Sequence, residues 1–269
     1  MSGRRGAAVV VGVVAVFATM LGGAQAAVQV SPGVLVSIPG HGMGEFAAAR
    51  SPIDENHLIV GAMDWDDEAG SVACATFVSH DGGVSWQAGS RIPGLDEGYG
   101  RADPWVTIDP AGRAHLQCMQ IDADIVAYGV GSVDGTTGRP TVKQMHTRSD
   151  DGGTTWRAAR RIPPKDPLNQ VDKEAIYASR AGTLFACIND YPRGEGGDAL
   201  VVSRSFDGGD TWMAPKALDE VIGIDSPAGT GFGNCNGFAE GPGGVVYMAW
   251  AGLFATEPTQ RFGVAYTSD

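Results

Sequence analysis

This 269-residue sequence predicts an all-β fold made of repeated four-stranded units. Three observations carry that expectation. The eight residues SHDGGVSW from Ser79 return as SDDGGTTW from Ser149 and as SFDGGDTW from Ser205. Each copy follows a short strand-like run, ACATF, VKQMH or ALVVS. Ahead of that run stands another, opened by glycine in AGRAHLQCM, AGTLFACI and GGVVYMAW and written NHLIVGAM in its first appearance. Short strands recurring between turn residues argue for sheets. The 40 glycines favour many turns over long helices.

Taken in order, the chain opens with Arg4 and Arg5, an apolar run from Ala7 to Leu21 and a small-residue stop, Ala24-Gln25-Ala26. This predicts a secretory signal peptide over 1–26, because the apolar run is shorter than the roughly 20 residues a membrane-spanning helix needs. Residues 27–39 form an N-terminal extension, and 40–269 divide into units at about 40–95, 96–165, 166–218 and 219–269. Each unit reads strand, turn, strand, loop, strand, Asp-Gly-Gly turn, strand. In the last unit, Ser268 and Asp269 fall where a fourth copy of the turn would begin, so its outer strand is missing from the expected set.

The turn has a plain chemistry. A short Asp side chain accepts hydrogen bonds from its own turn, glycine takes positive φ without a Cβ clash, and the Ser two positions earlier adds a further bond. The Trp that follows brings a large apolar area to bury. Asp81, Asp151 and Asp207 are therefore expected to fasten hairpins, together with Ser79, Gly83, Trp86, Ser149, Gly153, Trp156, Ser205, Gly209 and Trp212.

The pattern Ser-x-Asp-x-Gly-x-Thr-Trp resembles the Asp box, or BNR repeat, of the sialidase superfamily, with Ser85 in place of Thr in the first copy. The resemblance runs from about Gly40 onward. It implies a β-propeller of four-stranded blades, about four present of a probable six, with the boxes on the face away from the active site. It further implies exo-α-sialidase-type hydrolysis of terminal sialic acids. A glycan- or protein-binding propeller without catalysis is the alternative, because the family's Arg-Ile-Pro motif before the first box is absent. The RIP triplets at Arg91 and Arg161 follow box tryptophans and read as repeat features.

Function is then expected in the loops opposite the boxes. MDWDDEAGS supplies Asp64 and Asp66 as acid/base candidates, with Asp67, Glu68 and the aromatic Trp65. Further along lie Asp122 and Asp124, then Asn189, Asp190, Tyr191 and Arg193. The connections between units add Arg101 and Asp103, then Asp172, Lys173 and Glu174, then Asp225, Asn234 and Asn236. Trp65, Arg101, Asp190 and Arg193 are the expected ligand contacts, since rings stack on sugars and guanidinium groups pair with carboxylates. Asp64, Asp66 and Asp67 also form the kind of oxygen set that calcium takes; no other cofactor is implied.

The formal charge of −12 argues against nucleic acid and anionic membranes as partners and selects no substrate; the glycan or glycoconjugate partner is what the resemblance implies. Cys74, Cys118, Cys187 and Cys235 allow three full disulfide pairings, or four free buried thiols.

Overall fold

The computed structural model describes residues 33–66, 68, 71–95, 100–122, 135–191, 199–218, 232–253 and 260–267. The expected leader, Asp67, Asp124, Arg193, Asp225, Ser268 and Asp269 lie outside them.

The described chain forms antiparallel sheets in chain order. The first holds β1 (Gly42–Arg50), β2 (Leu58–Asp66), β3 (Ser71–Ser79) and β4 (Gln87–Ala88). The second holds β5 (Gly100–Ile108), β6 (Ala114–Ile121), β7 (Val142–Ser149) and β8 (Arg160–Arg161). The third holds β9 (Gln170–Ala178), β10 (Leu184–Tyr191), β11 (Ala199–Ser205) and β12 (Lys216–Ala217). Among the described residues the fourth has three strands, β13 (Phe232–Glu240), β14 (Val246–Leu253) and β15 (Gln260–Thr267). Among the described residues no helix is long and apolar enough to cross a membrane.

Register is repeated from sheet to sheet. Leu58 faces Ser79, Ala114 faces Ser149, Leu184 faces Ser205 and Val246 faces Thr267. Thr267, one residue ahead of the expected Ser268, therefore stands at the position of the box serines. The first strands of the sheets lie side by side, β5 between β1 and β9, and β9 against β13.

The core lies between sheets. Ile59, Val106, Leu116 and Trp156 fill the first junction, Met119, Val142, Val171 and Ile188 the second, and Ala175, Met248 and Trp250 the third. Each fully buried Ile or Leu contributes about 1.5–3 kcal/mol. Strands such as AHLQCMQI are buried on both faces, so their polar members need internal partners. His115 finds them in Asp109 and His146, each 3.2 Å away. The cysteines form two disulfides, Cys74–Cys118 and Cys187–Cys235, each joining neighbouring sheets.

All three boxes carry one hydrogen-bond net. In the second, Ser149 Oγ donates to Asp151 Oδ1 (2.6 Å) and accepts from the Gly153 amide (2.7 Å). Asp151 accepts from the Thr155 amide (2.8 Å) and hydroxyl (2.6 Å). Ser79/Asp81/Ser85 and Ser205/Asp207/Thr211 repeat it. Gly153 and Gly209 have φ of 114° and 88°, which side chains rarely adopt. A Cβ on Gly209 would also run into the His146 ring. Box tryptophans pack on the preceding sheet: Trp156 Nε1 donates to Thr76 Oγ1 (3.1 Å), and Trp212 meets His146 edge-on. Trp86, half-buried, bonds Gly83 of its own turn.

Candidate functional site

Each first strand is nine residues long and bulged. At the fourth position of β1, β5 and β9 stand Glu45, Asp103 and Lys173, with φ of 50°, 52° and 38°. These are the only non-glycine residues with positive φ among those described. Such backbone costs of order 1–3 kcal/mol per residue and persists where the surroundings enforce it, often at sites of function.

The three side chains meet. Lys173 Nζ lies 2.6 Å from Asp103 Oδ2 and 3.6 Å from Glu45 Oε1, and the Asp103 amide donates to Glu45 Oε2 (3.2 Å). The hydrogen bond with the Asp103 carboxyl, followed by partial burial, raises the Glu45 pKa. Burial opposes the Lys173 charge, but the Asp103 hydrogen bond and the charges of Asp103 and Glu45 outweigh it and raise that pKa too. The group is open to solvent, with the Glu45 and Lys173 side chains about two-fifths exposed (43% and 39%).

Directly after Lys173, Glu174 is buried and accepts from Gln144 Nε2 (2.6 Å). Burial first, then the Asp103 charge, pushes its carboxyl well above the usual range. Among the described residues its Oε1 has no hydrogen-bond partner. The arrangement therefore sets two carboxyls of raised pKa, Glu45 and Glu174, beside an Asp–Lys pair, the pattern from which acid and base roles are divided.

The bulges lie toward the end of the first strands where the β2–β3 and β6–β7 loops emerge, since Gly42 faces Trp65 and Gly100 faces Ile121. The boxes occupy the opposite end, beside the β1–β2 turn.

A BNR/Asp-box repeat profile matches residues 77–88. No curated protein sequence matches the chain. Among solved structures, a Hadza microbial sialidase superposes with TM-score 0.59 at 16% identity, over 84% of this chain and 46% of that one. A Penicillium chrysogenum alpha-L-arabinanase complexed with arabinobiose gives 0.57 at 19% identity, over 86% and 63%. A GH93 alpha-L-arabinofuranosidase of Fusarium graminearum gives 0.54 at 15%, over 83% and 61%.

The chain has the fold of a β-propeller and carries an Asp-box repeat at residues 77–88.

It spans about half to two thirds of the length of these structures. The propeller's sheets are its blades, their first strands line the axis, and the Glu45–Asp103–Lys173 group bridges three blades there.

The residues expected from the sequence are distributed differently. Asp64 is buried at the end of β2, where His41 Nδ1 donates to it (2.9 Å) while His41 Nε2 lies 3.8 Å from Asp66. Asp64 and Asp66 are thus bridged by an imidazole. Among the described residues no cluster is arranged to hold a metal, and Asp67 lies outside them. Trp65 lies half-buried along β1, its ring over Gly42 and Gly44. Arg101 lines a groove of about 250 Å³ with Ile38, Ala73 and Leu95.

Asp190, expected as a ligand contact, is instead an internal tie. It is buried and accepts from Asn169 Nδ2 (2.5 Å) and the Lys165 amide (2.6 Å), because the approach to β9 folds back over it. Asp103, Lys173 and Glu174, expected in connections, lie within axial strands. Glu45 was missed: GMGEFAAAR carries no motif, and only the shared fourth position of the three strands points to it.

Proposed function

We propose that this propeller is an extracellular glycan-acting protein of the glycoside-hydrolase type, with Glu45 as proton donor and Asp103 as its carboxylate partner at the axis. The observation that carries this reading is the Glu45–Asp103 pair, held by Lys173 on strained backbone contributed by three blades. A carboxyl of raised pKa facing a second carboxyl suits acid and base work on a glycosidic bond. Export is supported by the leader pattern of 1–26 and by the two disulfides.

The resemblance supports sialidase chemistry as the finer assignment, with Asp64 or Asp66 as acid/base. The cation of the Glu45–Asp103 group, however, is a lysine already paired with two carboxyls, and lysine lacks the bidentate fork that grips a sugar carboxylate. That favours a neutral glycan, in keeping with the arabinobiose named in the arabinanase structure.

Fluorogenic α-L-arabinofuranosides, arabinan and a fluorogenic sialoside, each incubated with the chain, test the assignment. Turnover of an arabinoside or arabinan that falls about 100-fold or more in Glu45→Gln and Asp103→Asn is the expected result. Sialoside turnover lost in Asp64→Asn or Asp66→Asn would instead support the sialidase assignment. Glycan binding without turnover would leave a lectin-like propeller, and turnover unchanged in every variant would remove the axial site.

A further inference from the structure

The layer of side chains next to the Glu45–Asp103–Lys173 group is uneven. At the sixth position of the first strands, one step closer to the boxes, stand Ala47, Trp105, Ala175 and Gly237. Their register partners, Gly61, Gln117, Cys187 and Ala249, each hold the fourth position of a second strand, so the four residues share one level of the blades. Three of them are small. The second blade alone puts a large side chain at this level, and its indole takes the room the others leave.

The ring uses that room to cross between blades. Trp105 belongs to β5, yet it packs against the core of the third junction, where Ala175 is fully buried. Thr107, two residues further on the same face, accepts from the Ala178 amide (3.2 Å), which turns that face of β5 toward β9. The Trp105 Cζ2 stands 3.8 Å from where a Cβ on Gly237 would lie, so the indole reaches past β9 to the fourth blade. Trp105 is half-buried, and part of the ring faces solvent.

We propose that the Trp105 indole is the sugar-binding platform of the axial site, a flat apolar face for a neutral glycan whose hydroxyls meet Glu45 and Asp103. This rests on the glycan-acting reading above. Glu45, Asp103 and Lys173 are all polar, and a sugar presents C–H faces as well as hydroxyls. A site that holds one therefore pairs a few placed polar groups with an aromatic surface. The packing on Ala175 and Gly237 fixes the indole beforehand, so binding costs little further side-chain entropy.

Arabinobiose titrated into the chain carrying Glu45→Gln, which on that reading leaves the glycan uncleaved, tests the platform. Indole N–H signals are followed by NMR, the Trp105 signal being identified by its loss in Trp105→Phe. The expected result is a saturable shift of the Trp105 signal. Affinity should fall about tenfold or more in Trp105→Leu and stay within a few-fold in Trp105→Phe, which keeps an aromatic face. Binding that leaves the Trp105 signal in place, unchanged affinity in Trp105→Leu, or equal losses in both variants would overturn the platform while the axial carboxyls stand. No response of any signal to arabinobiose would remove the neutral-glycan reading and the platform with it. Should Trp105→Leu fail to fold, the indole shift and Trp105→Phe still decide it.

Discussion

Glu174 is buried one residue from Lys173, among groups that make a negative charge there unfavourable. Between the ordinary carboxyl value of 4.5 and its raised one, the folded chain keeps a proton that the unfolded chain has released. Stability linked to Glu174 is therefore full at low pH and declines as pH rises through that window. Glu174→Gln removes the titration while keeping shape and the neutral state. Urea unfolding should show the variant gaining on the parent by about 1.4 kcal/mol per pH unit across the window. A gap independent of pH would show that Glu174 titrates like a solvated carboxyl. His115 and His146 act in the opposite direction. Burial lowers both pKa values, and for His146 the neighbouring His115 and Arg148 charges add to it. Their linked stability is present above about 6.5 and is lost as pH falls below it. The His146 ring should stay neutral well below pH 6.5 and the His115 ring below it, and protonation at the ordinary value would contradict the packing.

Among the elements, the box hairpin does two jobs at once. Its Ser–Asp net closes the turn within a blade, and its Trp and second Gly close the junction with the blade before. The three copies are alike in the first job and unlike in the second, because Trp156 is 6% exposed while Trp86 is half-buried and bonded within its own turn. Trp156→Ala should therefore cost about 3–5 kcal/mol in denaturant unfolding, as buried aromatic truncations do. Trp86→Ala should cost clearly less, and equal losses would mean that the indole of Trp86 is buried after all. The box carboxylates are held low, to about 2, chiefly by the neighbouring hydroxyl and amide hydrogen bonds at Asp81 and Asp207, and at Asp151 by the same bonds against its burial. Being depressed, they stabilise the fold above the ordinary value of 3.8 and lose that contribution as pH falls toward 2.

At the scale of the whole molecule, stability depends on the junctions. The disulfides tie the first blade to the second and the third to the fourth, closing sequence separations of 44 and 48 residues. Loop-closure arguments give about 4 kcal/mol for each bridge. Reduction should lower the urea midpoint accordingly, and an unchanged midpoint would show that apolar packing alone carries the junctions. The axial group needs three blades to be in place at once, so loss of any one of them removes it.

The sequence by itself determined the repeat. Asp, Gly and Trp at fixed offsets specify a local turn, and strand-like runs between such turns specify four-stranded sheets, so the all-β fold was legible without coordinates, while the propeller was what the resemblance to the Asp box implied. A turn is decided by residues adjacent in the chain, which is why Asp81, Asp151 and Asp207 could be read for their geometry. The site was not legible in the same way. Glu45, Asp103 and Lys173 are separated by 58 and 70 residues and share only a position within three strands. Bulges and the closeness of the first strands bring them within hydrogen-bond reach. The pairing of four cysteines, the burial of Asp190 and the proton held on Glu174 were settled in the same way, because each depends on which blade lies alongside. Tertiary structure alone decided these, since contact, desolvation and charge coupling act across space and leave no periodic signal along the chain.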